Sequence, residues 1–86
     1  MPEISRFYGI VIQIYYADHP PPHFHAFYVG RKAIIEIETL KFIQGDLPPR
    51  AGGLVIEWAS HHQDELRKAF QSAATMESPQ KIPPLD

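Results

Sequence analysis

The hydrophobic period of this chain changes at Pro48-Pro49, and that change constrains the fold more than any other feature. Before it, apolar residues alternate, as at Ile10, Ile12 and Ile14, which is the period of a strand with one buried face. After it, they recur at spacings of three and four, which is the period of an amphipathic helix. Because proline fits the first helical turn but disfavours helix before it, the helix should begin near Pro49. The sequence therefore predicts an α+β fold.

The architecture expected is about four antiparallel strands followed by one long C-terminal helix packed on one sheet face. Two features count against a single straight helix: Gly52-Gly53 lies inside it, and Ser60 with Gln63 could form a capping box for a second start. The proline-rich end predicts an extended tail over 79–86, after one domain over 1–78. The predicted strands span 7–16, 23–29, 32–38 and 40–43, and the predicted helix spans 49–74.

Composition narrows the possible functions. The chain has no cysteine, which excludes disulfides and thiolate zinc sites and fits a reducing compartment. We expect a cytoplasmic protein without membrane association, because the chain lacks signal-peptide features and any apolar run near the ~20 residues that cross a bilayer. The net charge is −2 and the eight basic residues are scattered, so nucleic-acid binding is only weakly supported.

A two-residue turn at Gly30-Arg31 would decide which way the histidines point. Counting back from this turn places His25 opposite Glu36 and His23 opposite Glu38, on the polar face of the sheet. A loop longer by two residues would shift these partners but keep the faces, because side chains alternate with a period of two. We therefore expect both histidines to be at least partly exposed, on the face away from the helix.

Histidine beside a carboxylate can carry out acid–base chemistry or ligate a metal, because the carboxylate orients the ring. The catalytic candidates are His23, His25 and Glu38, and the metal candidates are His19, His23 and His25, with a divalent metal as the possible cofactor. The alternative is a polar face that carries favourable pairs of opposite charge. In the helix, His62 falls on the apolar stripe and is expected to hold the proline-rich loop or a strand-end carbonyl.

Apolar residues accompany these histidines on the same predicted face. Phe27 and Ile34 lie there by the same alternation, and an apolar cluster beside polar groups is typical of an interface. We therefore expect association through the outer sheet face, with a partner protein or as a homodimer. The candidate binding residues are Asp18, His19, His23, His25, Phe27 and Ile34.

A motif around the prolines carries a family resemblance: Asp18-His19 is followed by Pro21-Pro22-His23-Phe24-His25. With it, the chain resembles the small prokaryotic family named domain of unknown function 4160, over essentially its whole length. Gly52-Gly53 departs from the larger residues expected there. The other matching segments are Ile4–Gly9, Ile37–Leu40, Gly45 with Leu47–Ala51, Glu57–Ala59, His62-Gln63, and Lys81-Ile82 with Pro84-Leu85, and the matched motif positions include His19, His23, His25, Glu38, Trp58 and His62.

The resemblance implies no activity, but it implies a small protein encoded beside another small protein in a toxin–antitoxin-like or regulatory pair. The leading hypothesis is therefore a protein-interaction module of such a two-gene system. One alternative is a small hydrolase acting on RNA, either metal-dependent or by His/Glu acid–base catalysis, although the chain lacks the common nucleophile and phosphate-loop motifs. A transcriptional regulator ranks last, because one long helix leaves no helix-turn-helix pair.

Overall fold

The computed structural model describes residues 3–86, which form a five-stranded antiparallel sheet and two helices. The strands lie in the sheet in chain order, so each pairs with the next. The predicted α+β class is confirmed, whereas the predicted numbers of strands and helices are wrong. The elements are β1 (Glu3–Phe7), β2 (Ile10–Gln13), β3 (His23–Tyr28), β4 (Arg31–Glu36), β5 (Phe42–Gly45), α1 (Pro49–Ser60) and α2 (Gln63–Ala74).

The extra strand arises where a single strand over 7–16 was expected. Tyr8 and Gly9 have positive φ values of 52° and 79° and turn the chain back on itself, so that Phe7 pairs with Ile10. Positive φ at two successive residues is the geometry of a tight hairpin turn. The alternation of apolar residues continues through such a short turn, and the hydrophobic pattern therefore concealed the hairpin.

The single predicted helix is two helices. The start at Pro49 is confirmed, and Gly52-Gly53 lies within α1 without interrupting it. The break falls at His61-His62, and α2 begins at Gln63, where the sequence also allowed a second helix start. Within residues 3–86, neither helix is long and apolar enough to cross a membrane.

A side chain at the start of α2 fixes this break against the sheet. The amide of Gln63 donates hydrogen bonds to the carbonyls of Ile37 at 2.9 Å and Glu38 at 3.3 Å, directly after β4. The predicted capping box does not explain the restart, because the hydroxyl of Ser60 donates to the carbonyl of Glu57 at 2.7 Å. Gln63, rather than its neighbour His62, therefore holds the strand-end carbonyls.

Both helices bury one face of the sheet, and Trp58 lies at the centre of that core. Its ring is fully buried, 5.3 Å from the ring of Phe7 and 6.0 Å from that of Phe24. Its indole N–H donates to the carbonyl of Pro83 at 2.8 Å, while the N–H of Ile82 donates to the carbonyl of Ile4 at the same distance. Residues 77–86 have no regular secondary structure, yet they close over Trp58 and the outer edge of β1.

The hairpin between β3 and β4 turns one residue earlier than predicted. Its turn residues are Val29 and Gly30, so His23 pairs with Glu36 and His25 pairs with Ile34. The expected pairs of His25 with Glu36 and His23 with Glu38 are therefore wrong. Each β3 residue therefore pairs with a β4 residue two positions earlier than expected. A shift of two positions leaves every side chain on its predicted face, because side chains alternate with a period of two.

Val29 occupies a backbone conformation that suits it poorly. It has a φ of +46°, and its side chain is 80% exposed, so no packing offsets the strain. Asparagine tolerates this conformation, and Asn-Gly is the favoured pair for such turns. We predict that Val29→Asn raises the free energy of unfolding by about 1 kcal/mol, measured by urea denaturation. Val29→Thr should give no gain, since it keeps the branched Cβ, and an equal gain in both variants would contradict the backbone explanation.

Candidate functional site

The loop between β2 and β3, residues 14–22, places the Asp18 carboxylate over the start of β3. One oxygen, Oδ2, lies 2.8 Å from Nε2 of His23 and 3.4 Å from Nε2 of His25. The N–H of Ala17 donates to the carbonyl of Ala73 at 2.9 Å, which ties this loop to the last turn of α2. Two imidazoles from one strand thus converge on a single carboxylate oxygen.

The ring of His23 is held at both nitrogens by acceptors. Its Nδ1–H donates to the carbonyl of Pro21 at 2.7 Å, and its Nε2 faces the Asp18 carboxylate. The ring of Phe70 lies 5.5 Å away and helps to bury it. Carbonyl and carboxylate oxygens can only accept hydrogen bonds. The contact between Nε2 and Asp18 therefore requires a second hydrogen on the ring, or another cation between the two atoms.

The ring of His25 is stacked against Tyr15, with ring centres 4.1 Å apart and planes 20° from parallel. Its Nδ1 is buried and has no hydrogen-bond partner among residues 3–86. Gln13 lies directly opposite on β2, and its buried Oε1 is likewise without a partner in this part of the chain. Two unsatisfied polar atoms thus lie on directly paired residues, where Cβ atoms are ~5 Å apart.

The surroundings lower the pKa values of both Asp18 and His25, whereas a simple ion pair would lower the pKa of the carboxyl and raise that of the imidazole. Burial works to raise the pKa of the Asp18 carboxyl, but hydrogen bonds from the His19 backbone N–H, His23 and His25 outweigh it and hold that pKa below its usual value. Burial lowers the pKa of His25 and outweighs the opposing effect of Asp18. At neutral pH Asp18 is therefore an anion, and His25 is a neutral imidazole with a lone pair.

The expected exposure of the two histidines is wrong, since each is only 6% exposed. Alternation does place His25 on the face away from the core, opposite Ile34. That face is covered locally by the loop through Asp18 and by Tyr15, and the ring of Phe70 from α2 covers His23. The sequence predicted the face of the sheet on which each side chain lies, but it did not predict that the outer face is covered at this place.

The remaining candidates are placed differently. Glu38, expected beside the histidines, binds the guanidinium of Arg67 at 2.5 and 3.0 Å. His62 pairs with Glu65 at 2.5 Å, and its ring is 5.5 Å from Trp58. His19 is exposed, although its Nδ1 is 3.1 Å from the other oxygen of Asp18. The structure therefore brings Asp18, rather than Glu38, to His23 and His25.

Phe27 and Ile34 are half-buried on the outer face, where Phe27 pairs with Val11 of β2. Sequence reasoning missed Gln13 and Tyr15 as members of the histidine site. The alternation along β2 could have placed Gln13 on the outer face, because Ile12 is a core residue. Tyr15 and Asp18 lie in an irregular loop, and no periodic pattern predicts where such a loop folds back.

The family model "Domain of unknown function (DUF4160)" matches residues 9–71, which is most of the chain. The chain belongs to this family. In this DUF4160 chain the matched segment runs from the β1–β2 turn into α2, and it contains Asp18, His23 and His25. No curated protein and no solved structure is significantly similar to the chain. The family description states no activity.

Asp18 should contribute to stability through this site. In Asp18→Ala, the buried Nε2 atoms of His23 and His25 lose their shared acceptor, at a cost of about 1–3 kcal/mol in the free energy of unfolding. Asp46→Ala is the matched control, because it removes a carboxylate that is mostly exposed and bound to Arg31 at 3.0 Å. Urea denaturation of both variants checks this, and equal small losses would show that Asp18 is only a surface charge.

Proposed function

We propose that this protein is a protein-interaction module that binds an extended segment of a partner protein along β5. The support is a contrast between the two edges of the sheet. At β1, the N–H of Ile82 bonds to the carbonyl of Ile4, and Ile82 itself is buried. At β5, the last strand of the sheet, all four residues are exposed.

An open edge presents backbone N–H and C=O groups that can pair with another strand. Globular proteins usually protect such edges with lysine, proline or a covering segment. In β5 the exposed side chains include Phe42, 38% exposed, and Ile43, 48% exposed. An exposed edge with apolar side chains is a surface that a partner strand can cover.

An open groove beside β5 offers a place for a partner side chain. It has a volume of about 490 Å³ and lies between Phe42 of β5 and Ile56 of α1. Gly52 faces the Phe42 ring at the wall of this groove, and a Cβ at Gly52 would make an ordinary van der Waals contact with that ring at 3.5 Å. Backbone pairing at an edge supplies affinity, and such neighbouring cavities supply selectivity.

The surface also adjoins the outer face predicted from Phe27 and Ile34, because Ile34 pairs with Gln44 of β5. A partner strand on β5 would extend the sheet and with it the half-buried apolar strip on this face. The family resemblance implies a neighbouring small protein as the natural partner. In the purified protein, where that partner is absent, we expect a second copy of the chain to bind along β5.

Self-association tests this proposal. We predict that the purified chain forms a dimer in sedimentation-velocity experiments and that Ile43→Lys shifts it to monomer, because a lysine on an edge opposes strand pairing. Met76→Lys is the matched control, since Met76 is exposed but lies after α2. It should sediment as the unmodified chain does.

A chain that remains monomeric at millimolar concentration would contradict this proposal. Phe27→Glu distinguishes an interface at β5 from one on the outer face of the sheet. If Phe27→Glu is a monomer and Ile43→Lys is still a dimer, the interface lies on the outer face instead. The RNA hydrolase and the transcriptional regulator remain untested predictions.

A further inference from the structure

We propose that Asp18, His23 and His25 form a binding site for one divalent transition-metal ion of the zinc type. This site is separate from β5 and does not depend on partner binding. Three donor atoms, one from each residue, lie within 4.8 Å of one another. Imidazole and carboxylate are ligands that zinc accepts, and the chain has no cysteine to compete with them.

The two separations between the Asp18 oxygen and the imidazole nitrogens are close to those around a tetrahedral ion. Metal–ligand bonds of ~2.0–2.1 Å place neighbouring tetrahedral donors about 3.3–3.5 Å apart. The oxygen of Asp18 already lies 3.4 Å from Nε2 of His25. It is 2.8 Å from Nε2 of His23, so this pair must open by about half an ångström. An opening of that size is within reach of a rotation of the Asp18 side chain, which lies in a loop.

The hydrogen bonds of the His23 ring match those of a metal-ligating histidine. Such a histidine nearly always donates its second N–H to a carbonyl, carboxylate or water. His23 does so already, because its Nδ1–H donates to Pro21 and leaves Nε2 to face Asp18. A divalent ion at that position would supply the positive charge that a ring between two acceptors requires.

The unpaired polar atoms of His25 and Gln13 also favour metal binding at this site. With Nε2 of His25 on a metal, its Nδ1 carries a hydrogen and needs an acceptor. The unpaired Oε1 of Gln13, on the directly opposed residue, is such an acceptor. A buried unsatisfied atom costs ~1–3 kcal/mol, and metal binding would pair both at once. Gln13 is thus assigned as a positioning residue for His25.

The ligand set differs from the histidine trio suggested by the sequence. His19 is 86% exposed, and its ring centre is 6.0 Å from that of His23. Asp18 brings a negative charge and contacts both buried rings, which His19 does not. His19 is consequently a matched control: it is an adjacent histidine whose removal leaves all three proposed donors in place.

Calorimetric titration of the metal-free chain with zinc chloride tests the site. We expect one zinc ion per chain, with at least ~100-fold weaker binding in Asp18→Asn and wild-type binding in His19→Ala. Gln13→Leu should weaken zinc binding ~10-fold, because it removes the group that accepts a hydrogen bond from a metal ligand. Gln13→Glu should restore binding, because it returns an acceptor to the same position. Substitution with Co²⁺ should give the intense visible absorption of tetrahedral coordination, a measurement that needs no variant.

Three results would overturn the proposal. The first is the absence of zinc binding by the unmodified chain. The second is wild-type affinity in Asp18→Asn, which would mean that surface histidines hold the ion. The third is a loss in His19→Ala as large as that in Asp18→Asn, which would overturn the ligand set. If Asp18→Asn fails to fold, the weak absorption of octahedral Co²⁺ in the unmodified chain would contradict tetrahedral coordination.

Discussion

The contact between one Asp18 oxygen and the two β3 imidazoles is the interaction on which this corner of the structure depends. It closes the loop over the outer face of the sheet, so that Tyr15 can stack on His25. The same loop is bonded to α2 through Ala17 and Ala73, which joins the sheet to the helical layer. Buried polar groups are costly unless they form hydrogen bonds. Here one carboxylate bonds to a nitrogen of each ring, while Nδ1 of His25 and Oε1 of Gln13 have no partner within residues 3–86.

The proposed metal site and the proposed partner-binding edge lie on different strands of the sheet. The histidine cluster lies on β3, the central strand, whereas β5 is the edge strand, with β4 between them. At the opposite edge, the tail bonds to Ile4 and to Trp58. A ligand at β3 would make the scaffold more rigid, and a strand at β5 would extend it. Both would stabilise the domain, whose stability is limited because a chain this short buries only ~60% of its unfolded surface.

Much of the fold followed from the residues, and the failures have physical causes. The faces of β3 and β4 were predicted correctly because a register error of two does not change the alternation. The hairpin at Tyr8-Gly9 was missed because the apolar alternation runs through it, and the helix break at His61-His62 depends on the non-local bonds of Gln63 to the end of β4. The cover over His25 also comes from a distant loop. Asp18 was therefore a candidate by proximity in sequence alone, and only the fold shows that it joins the two rings.

Anomalous diffraction at the zinc absorption edge tests the central claim most directly, on crystals of the unmodified chain grown with one equivalent of zinc. The convergence of Asp18, His23 and His25 predicts a single strong peak about 2.0–2.2 Å from the carboxylate oxygen and from one nitrogen of each ring. A peak only at exposed His19 or His61, or no peak at all, would contradict it.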